Sequence, residues 1–171
     1  MTAMPMSGVR VLDLTRVLAG PFAGQMLADL GAEVIKIERP GVGDEARIFG
    51  PPFLKSTSGE DLPQTAMFLC ANRNKKSIVI DFSKPEGAAL IRKLAAKSDI
   101  FLENFKVGDL ARLGLDYDSL RAVNPRHGRG CCASHCRQCA DGCESHPLFG
   151  DQNRRLHGAS RLGGTHGRRP G

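Results

Sequence analysis

Cys131, Cys132, Cys136, Cys139 and Cys143 crowd a short stretch near the end of this 171-residue chain, with His127, His135 and His146 close by. Cys136 and Cys139 have the C-x-x-C spacing of a zinc knuckle. Two such knuckles at a fixed gap would specify a metal site. Here there is one, crowded by extra thiols and without the periodic apolar residues that pack around a bound ion. A second set of reactive side chains is dispersed: Arg39, Arg73, Lys75, Lys76, Lys106 and Arg112 stand at predicted strand ends or in nearby turns. A ligand with several phosphates needs such cations, and the same residues also read as a solvated rim of scattered charge. The turn from Thr15 to Gly24 places Gly20-Pro21 at a helix start, where free N–H groups can meet an anion or a thioester oxygen. It matches neither G-x-G-x-x-G nor G-x-x-x-x-G-K-[ST], and Gly20 reads first as a point of close backbone approach. Asp13 and Asp81 lie in or at the end of strands, with no histidine or second carboxylate spaced for acid–base work.

These residues need elements to hold them. Val9 to Leu14 is apolar and β-branched, a mostly buried strand. Phe22, Met26, Leu27 and Leu30 have helical spacing, with Ala23 and Gly24 permitting close packing and Gly31 as the stop. Glu33 to Glu38 alternates polar and apolar residues, a strand with one wetter face. Strand, helix, strand makes a βαβ unit and implies a parallel sheet. Residues 39–63 are rich in glycine and proline and read as irregular, a length at which loops are usually functional. Thr65 to Ala71 is a short apolar stretch, and Asn72 to Lys76 a polar turn. Ser77 to Asp81 is a third strand. Ser83, as N-cap, opens a helix with Pro85 and Glu86 in its first turn. Asp99 to Phe105 is a fourth strand and its exit, and Asp109–Leu113 and Tyr117–Val123 are short helical pieces. The expected fold is therefore α/β: a Rossmann-like, open, mostly parallel sheet. Ligands of such sheets sit at the carboxyl ends of the strands, here Thr15–Pro21, Arg39–Gly43, Asp81–Ser83 and Asn104–Lys106.

Composition divides the chain after Arg126. Residues 1–126 carry 17 basic and 15 acidic side chains, whereas residues 127–171 carry seven arginines, no lysine, three acids, and no Ile, Val, Met or Tyr. An Arg-, Gly-, Cys- and His-rich segment of this kind is what GC-rich coding DNA yields when read out of frame. A native disordered tail and a zinc or redox module are the other two readings. The net charge of +6 is too modest and too uneven to argue for nucleic acid. No apolar run approaches a membrane span, and residues 1–8 lack the pattern of a secretory signal. Cys70 sits in an apolar run, where a reduced, buried thiol is the default. The expected compartment is the cytoplasm, with no metal required.

Several dispersed motifs, in register over residues 7–126, resemble the family III CoA-transferases, the CaiB/BaiF-type relatives of formyl-CoA and carnitine-CoA transferases. They are Gly8 to Thr15, Ala19-Gly20-Pro21, Leu27 to Glu38, Asn72 to Ser77, Glu103-Asn104-Phe105 and Leu113-Gly114-Leu115. Gly43-Asp44-Glu45-Ala46-Arg47 and Gly50-Pro51-Pro52 look most like the branch moving CoA between dicarboxylates such as succinate and glutarate. The resemblance implies CoA transfer from an acyl-CoA to a carboxylic acid, through attack of an aspartate carboxylate on the donor thioester. It also implies an interlocked homodimer. Matching positions imply Leu18 and Ala19 beside the thioester and Arg39 on the nucleotide phosphates. They further imply Ile80, Asp81, Phe82 and Ser83 with Asn104, Phe105 and Lys106 around the adenosine end, and Arg112 on a phosphate.

Past Asn124-Pro125-Arg126 the resemblance stops. Family members continue with an apolar strand, a Gly-rich segment and the aspartate nucleophile, and no residue of this sequence matches that aspartate. The expectation is an N-terminal part of such a transferase over residues 1–126, with an unlike tail over 127–171. Such a chain would bind CoA weakly and catalyse nothing. A CoA-binding or subunit-pairing module is the alternative reading, and an unrelated nucleotide-binding α/β enzyme a further one.

Overall fold

Val11 and Leu12 are neighbours in sequence and fully buried on opposite faces of one sheet, which only a strand covered on both sides allows. The computed structural model describes residues 3–125, and the backbone of 128–131. They fall within the first of two units, residues 1–135; the second, 136–171, lies outside the described residues. Five strands form the main sheet: β1 (Arg10–Asp13), β2 (Glu33–Glu38), β5 (Lys76–Val79), β6 (Ile100–Glu103) and β7 (Gly128–Cys131). Their order is β5-β2-β1-β6-β7, and every neighbouring pair is parallel. A smaller antiparallel pair joins β3 (Phe53–Lys55) to β4 (Asp61–Thr65). The helices are α1 (Ala19–Asp29), α2 (Ala66–Asn72), α3 (Pro85–Ala95) and α4 (Tyr117–Val123), with 3-10 turns at Glu45–Ile48 and Ala111–Leu113.

Alternation along the strands makes two cores. Val11, Val34 and Leu102 face one way and bury Ala28 of α1 and Ala32. Leu12, Ile37 and Phe101 face the other way, with Ala88, Ile91 and Ala95 of α3, Leu120 of α4, and Leu110 and Leu115. Each large aliphatic side chain buried there contributes about 1.5–3 kcal/mol.

The structure revises several expectations. β2 has no wet face: Lys36 and Glu38 are buried along with the apolar residues. Residues 39–63 are not irregular throughout. They contain the 3-10 turn, β3 and the first part of β4, which a three-residue strand and an internal Pro63 conceal from pattern reading. Ser83 is not the N-cap of α3. Lys84 holds that position without a side-chain cap bond, while Ser83 donates from its amide (3.2 Å) and hydroxyl (2.5 Å) to Asp81 Oδ1. Helix α1 begins three residues earlier than the apolar spacing suggests, because Pro21 fits a first turn where its missing N–H is no loss. Cys70 is exposed rather than buried, since the apolar stretch around it is helical and turns it outward. β7 lies past the composition break at 126, and pairs Ile100 with Gly128 through Glu103 with Cys131. The cysteines from 132 onward and the tail histidines lie outside the described residues.

Candidate functional site

The sheet order reverses between β1 and β6: from β1 the chain passes to β2 on one side, and only 87 residues after Asp13 does Ile100 open the neighbour on the other. Such a switch point leaves a crevice beyond the strands' carboxyl ends. A small crevice lies there, walled by Leu14, Thr15 and Arg16 after β1, Lys36 to Arg39 at the end of β2, and Gly43, Asp44, Phe82 and Phe105.

Its floor is ionic. Asp13, fully buried at the end of β1, accepts the Thr15 amide (2.9 Å) and hydroxyl (2.5 Å) on one oxygen and Lys75 Nζ (2.8 Å) on the other. Lys75 also donates to the Pro21 carbonyl (2.7 Å) and Asn72 Oδ1 (3.0 Å), which accounts for all three of its protons. Burial pushes the Lys75 ammonium below its ordinary range, against the pull of Asp13. The pair fits beneath α1 because residue 24 is glycine: a Cβ there would lie 2.8 Å from Asp13 Oδ2 and 3.1 Å from Lys75 Nζ. A second buried pair sits beside it. Lys36 Nζ donates to the Thr15 carbonyl (2.9 Å) and pairs with Asp44 Oδ2 (2.8 Å). Asp44 Oδ1 accepts the amides of Val17 (3.0 Å) and Ala46 (2.9 Å).

The β1–α1 turn is therefore gripped along its length. Asn104, just after β6, accepts the Arg16 amide (2.9 Å) and donates to the Arg16 carbonyl (2.8 Å), bracing the two walls against each other. Within this clamp Val17 is held at φ +71°. A β-branched residue there costs about 1–3 kcal/mol, and such strain persists only where surrounding bonds over-determine it.

The crevice wall combines charge and aromatic surface. The Arg16 guanidinium lies 4.5 Å from the centre of the Phe105 ring, and Phe82 meets Phe105 edge-on at 5.8 Å. Arg39 Nη2 reaches Glu45 Oε1 at 2.7 Å, and Arg16 Nη1 reaches the same oxygen at 3.2 Å. Also in the wall, Glu38 takes Arg47 with both oxygens (2.7 and 2.8 Å) and the Ser77 hydroxyl at 2.5 Å. Burial alone would raise the Glu38 carboxyl, but Arg47, Ser77 and the Asp44 amide outweigh it and hold the pKa at about 2.

Of the residues singled out in the sequence, Arg39, Phe82 and Phe105 meet in this crevice and Asn104 braces it. Leu18 is the N-cap of α1, with Ala19 as the helix's first residue, on the same turn but outside the lining. Ile80 packs on the α3 core, and Asp81 and Ser83 form the turn ahead of α3. Lys106 is exposed after β6, and Arg112 is exposed and paired with Asp109 at 2.9 Å. The remaining basic residues have acidic partners: Arg73 with Asp29, Lys76 with Glu33, and Lys75 with Asp13. Arg16, Lys36, Asp44 and Glu45 stand in motifs or strand ends picked out in the sequence, but the sequence reading gave them no role of their own. The available signal was a lysine placed between Ile35 and Ile37, and an acidic pair directly after the β2 exit. Among the described residues no group of acids, cysteines and histidines could hold a metal, and no helix is long and apolar enough to cross a membrane.

Comparison with known proteins agrees with this architecture. The sequence model of CoA-transferase family III matches residues 6–126. The succinate–glutarate CoA-transferase of Agrobacterium fabrum is 56% identical over 122 residues, covering 71% of this chain and 30% of that protein. The human succinyl-CoA:glutarate CoA-transferase is 50% identical over 121 residues, covering 71% of this chain and 26% of its own length. A crystal structure of a CAIB/BAIF family protein from Brucella suis superposes with a TM-score of 0.66 at 49% identity, over 72% of this chain and 32% of that one. The chain thus spans less than a third of the length of these relatives.

Proposed function

The chain belongs to CoA-transferase family III, and from that premise we propose that it carries the coenzyme A-binding part of an enzyme that moves CoA from an acyl-CoA to a carboxylic acid. The names of the relatives favour a dicarboxylate, succinate or glutarate, as the acid. The observation that supports this reading most is the meeting of Arg39, Phe82 and Phe105 in one crevice at the switch point. Coenzyme A joins charged phosphates to a flat purine, and a guanidinium beside aromatic rings complements both. In this reading Leu18 and Ala19 lie toward the thioester. Ile80 to Ser83 and Asn104 to Lys106 surround the adenosine end, and Arg112 meets a phosphate after leaving Asp109.

Calorimetric titration of the 171-residue chain with CoA tests the proposal. Saturable binding is expected. Arg39→Ala should weaken it about 10- to 100-fold, the worth of one charge-assisted contact. Absence of heat and of any thermal shift would overturn it, and displacement of CoA by NAD would point instead to a dinucleotide enzyme. No residue of the sequence matches the family's nucleophilic aspartate. These residues by themselves are therefore proposed to bind CoA without transferring it, and turnover with succinyl-CoA and glutarate would refute that part.

A second reading is a module that pairs with another subunit. It is favoured by two Chloroflexus aurantiacus relatives named as the alpha and beta subunits of a succinyl-CoA–L-malate CoA-transferase. Sedimentation of the chain alone and with a full-length relative distinguishes a monomer, a homodimer and a mixed assembly.

A further inference from the structure

Glu45 opens the 3-10 turn that follows Gly43-Asp44 and, without lining the crevice itself, pairs with two arginines that do. Its Oε1 serves two guanidinium groups: Arg39, from the exit of β2, and Arg16, from the exit of β1. Its other oxygen, Oε2, is buried without a hydrogen-bond partner among the described residues, and so are the Nε atoms of both arginines. This differs from the nearby Glu38, which takes Arg47 with both oxygens and whose position is fixed further by Ser77 and the Asp44 amide. A carboxylate that serves to orient an arginine usually grips it in that two-pronged way. Glu45 instead gathers two cations on one atom and leaves donors and an acceptor unused.

Both arginine side chains are about two-fifths exposed, so each ion pair is screened and worth only about 0.2–1 kcal/mol. Such pairs exchange readily. A phosphate monoester carries more negative charge than a carboxylate and presents three acceptor oxygens, enough to engage both guanidinium groups. We propose that Glu45 is an internal anion that competes with the phosphates of the ligand for Arg16 and Arg39, and so sets the affinity of the crevice. The proposal rests on the reading of that crevice as a CoA site. It assigns Glu45 a part in specificity: an anion must outbid a carboxylate already in place, so a singly charged acid gains little there and a phosphate gains more.

Calorimetric titration with CoA at fixed ionic strength tests it on the full chain, on Glu45→Gln, and on Glu60→Gln as a control. Glu60 lies on the exposed loop between β3 and β4, so its replacement changes net charge equally without touching the crevice. Glu45→Gln should bind CoA about three- to tenfold tighter, from the loss of two screened pairs, while Glu60→Gln binds as the parent does. If the parent binds CoA and Glu45→Gln binds equally or more weakly, the competition is refuted and the CoA reading stands. If neither binds, the CoA reading falls and takes this proposal with it. Circular dichroism checks the fold. Should Glu45→Gln fail to fold, Glu45→Asp, whose carboxylate is drawn back by one methylene, should bind about twofold tighter, and affinity no higher than the parent's refutes the proposal.

Discussion

Lys36 carries a positive charge into the middle of a sheet at 1% exposure, and two bonds make this tolerable: the Asp44 carboxylate and the Thr15 carbonyl. Removing the cation leaves Asp44 buried and unpaired. Lys36→Met should therefore destabilise the fold by about 3–5 kcal/mol, measured by urea unfolding at neutral pH. Glu38 makes a pH-dependent contribution. Its folded pKa of about 2 lies below the ordinary value of 4.5, so the stabilisation is complete above pH 4.5 and fades as pH falls toward 2. Thermal unfolding followed from pH 6 to pH 2.5 should show that loss, on the order of 3 kcal/mol, and Glu38→Gln should flatten it. Alternation in Glu33–Glu38 gives the strand correctly, with the same bounds as β2. It assigns Lys36 and Glu38 to water because their partners, Asp44 and Arg47, lie in a loop whose path periodicity does not encode. Cys70 shows the converse error: an apolar neighbourhood in sequence became the outer side of a short helix.

Helices here are placed by how closely their backbones approach the sheet and its turns. In α3, a Cβ on Gly87 would overlap the Asp81 carbonyl group and stand 3.0 Å from Phe82 Cα. Helix propensity alone predicts that Gly87→Ala gains about 1 kcal/mol. The contact predicts the reverse, a loss of about 1–3 kcal/mol, with Phe82 shifted and CoA binding weakened together. Thermal melts and the same titration check both. Gly20 on α1 has a comparable role, since a side chain there would collide with Thr15. Its first reading as a point of close approach agrees with that geometry. Elements with full periodicity, β1, β2, α3 and α4, were legible from residue pattern. The β3–β4 hairpin was not, because strands of three and five residues with one internal proline carry too little pattern to register.

Across the molecule, the parallel α/β sheet was readable from the spacing of strands and helices, and the strand ends it implied, though not their spatial order, pointed to the crevice. The crevice is built by residues from four separate connections, and only the sheet order says which of them meet. Surface chemistry follows from the same layout. Leu18, Phe22, Met26 and Leu30 recur every four residues along α1 and all stand outward, each more than 40% exposed. A stripe of this kind promotes association. Phe22→Glu with Met26→Lys should lower light scattering of the concentrated chain without altering its circular dichroism.

Strand order also dictates when the crevice can exist. β1 and β2 pair Val11 with Val34, a short loop to close, while β1 and β6 pair Val11 with Ile100, almost four times as far along the chain. Closure entropy makes the distant partner the slower one. The β1–α1–β2 unit is thus expected to assemble first, and β6, with the Asn104 bridge, to dock afterwards. In stopped-flow refolding, helical signal should return before the capacity to bind CoA, so that a nascent chain gains its secondary structure well ahead of its ligand.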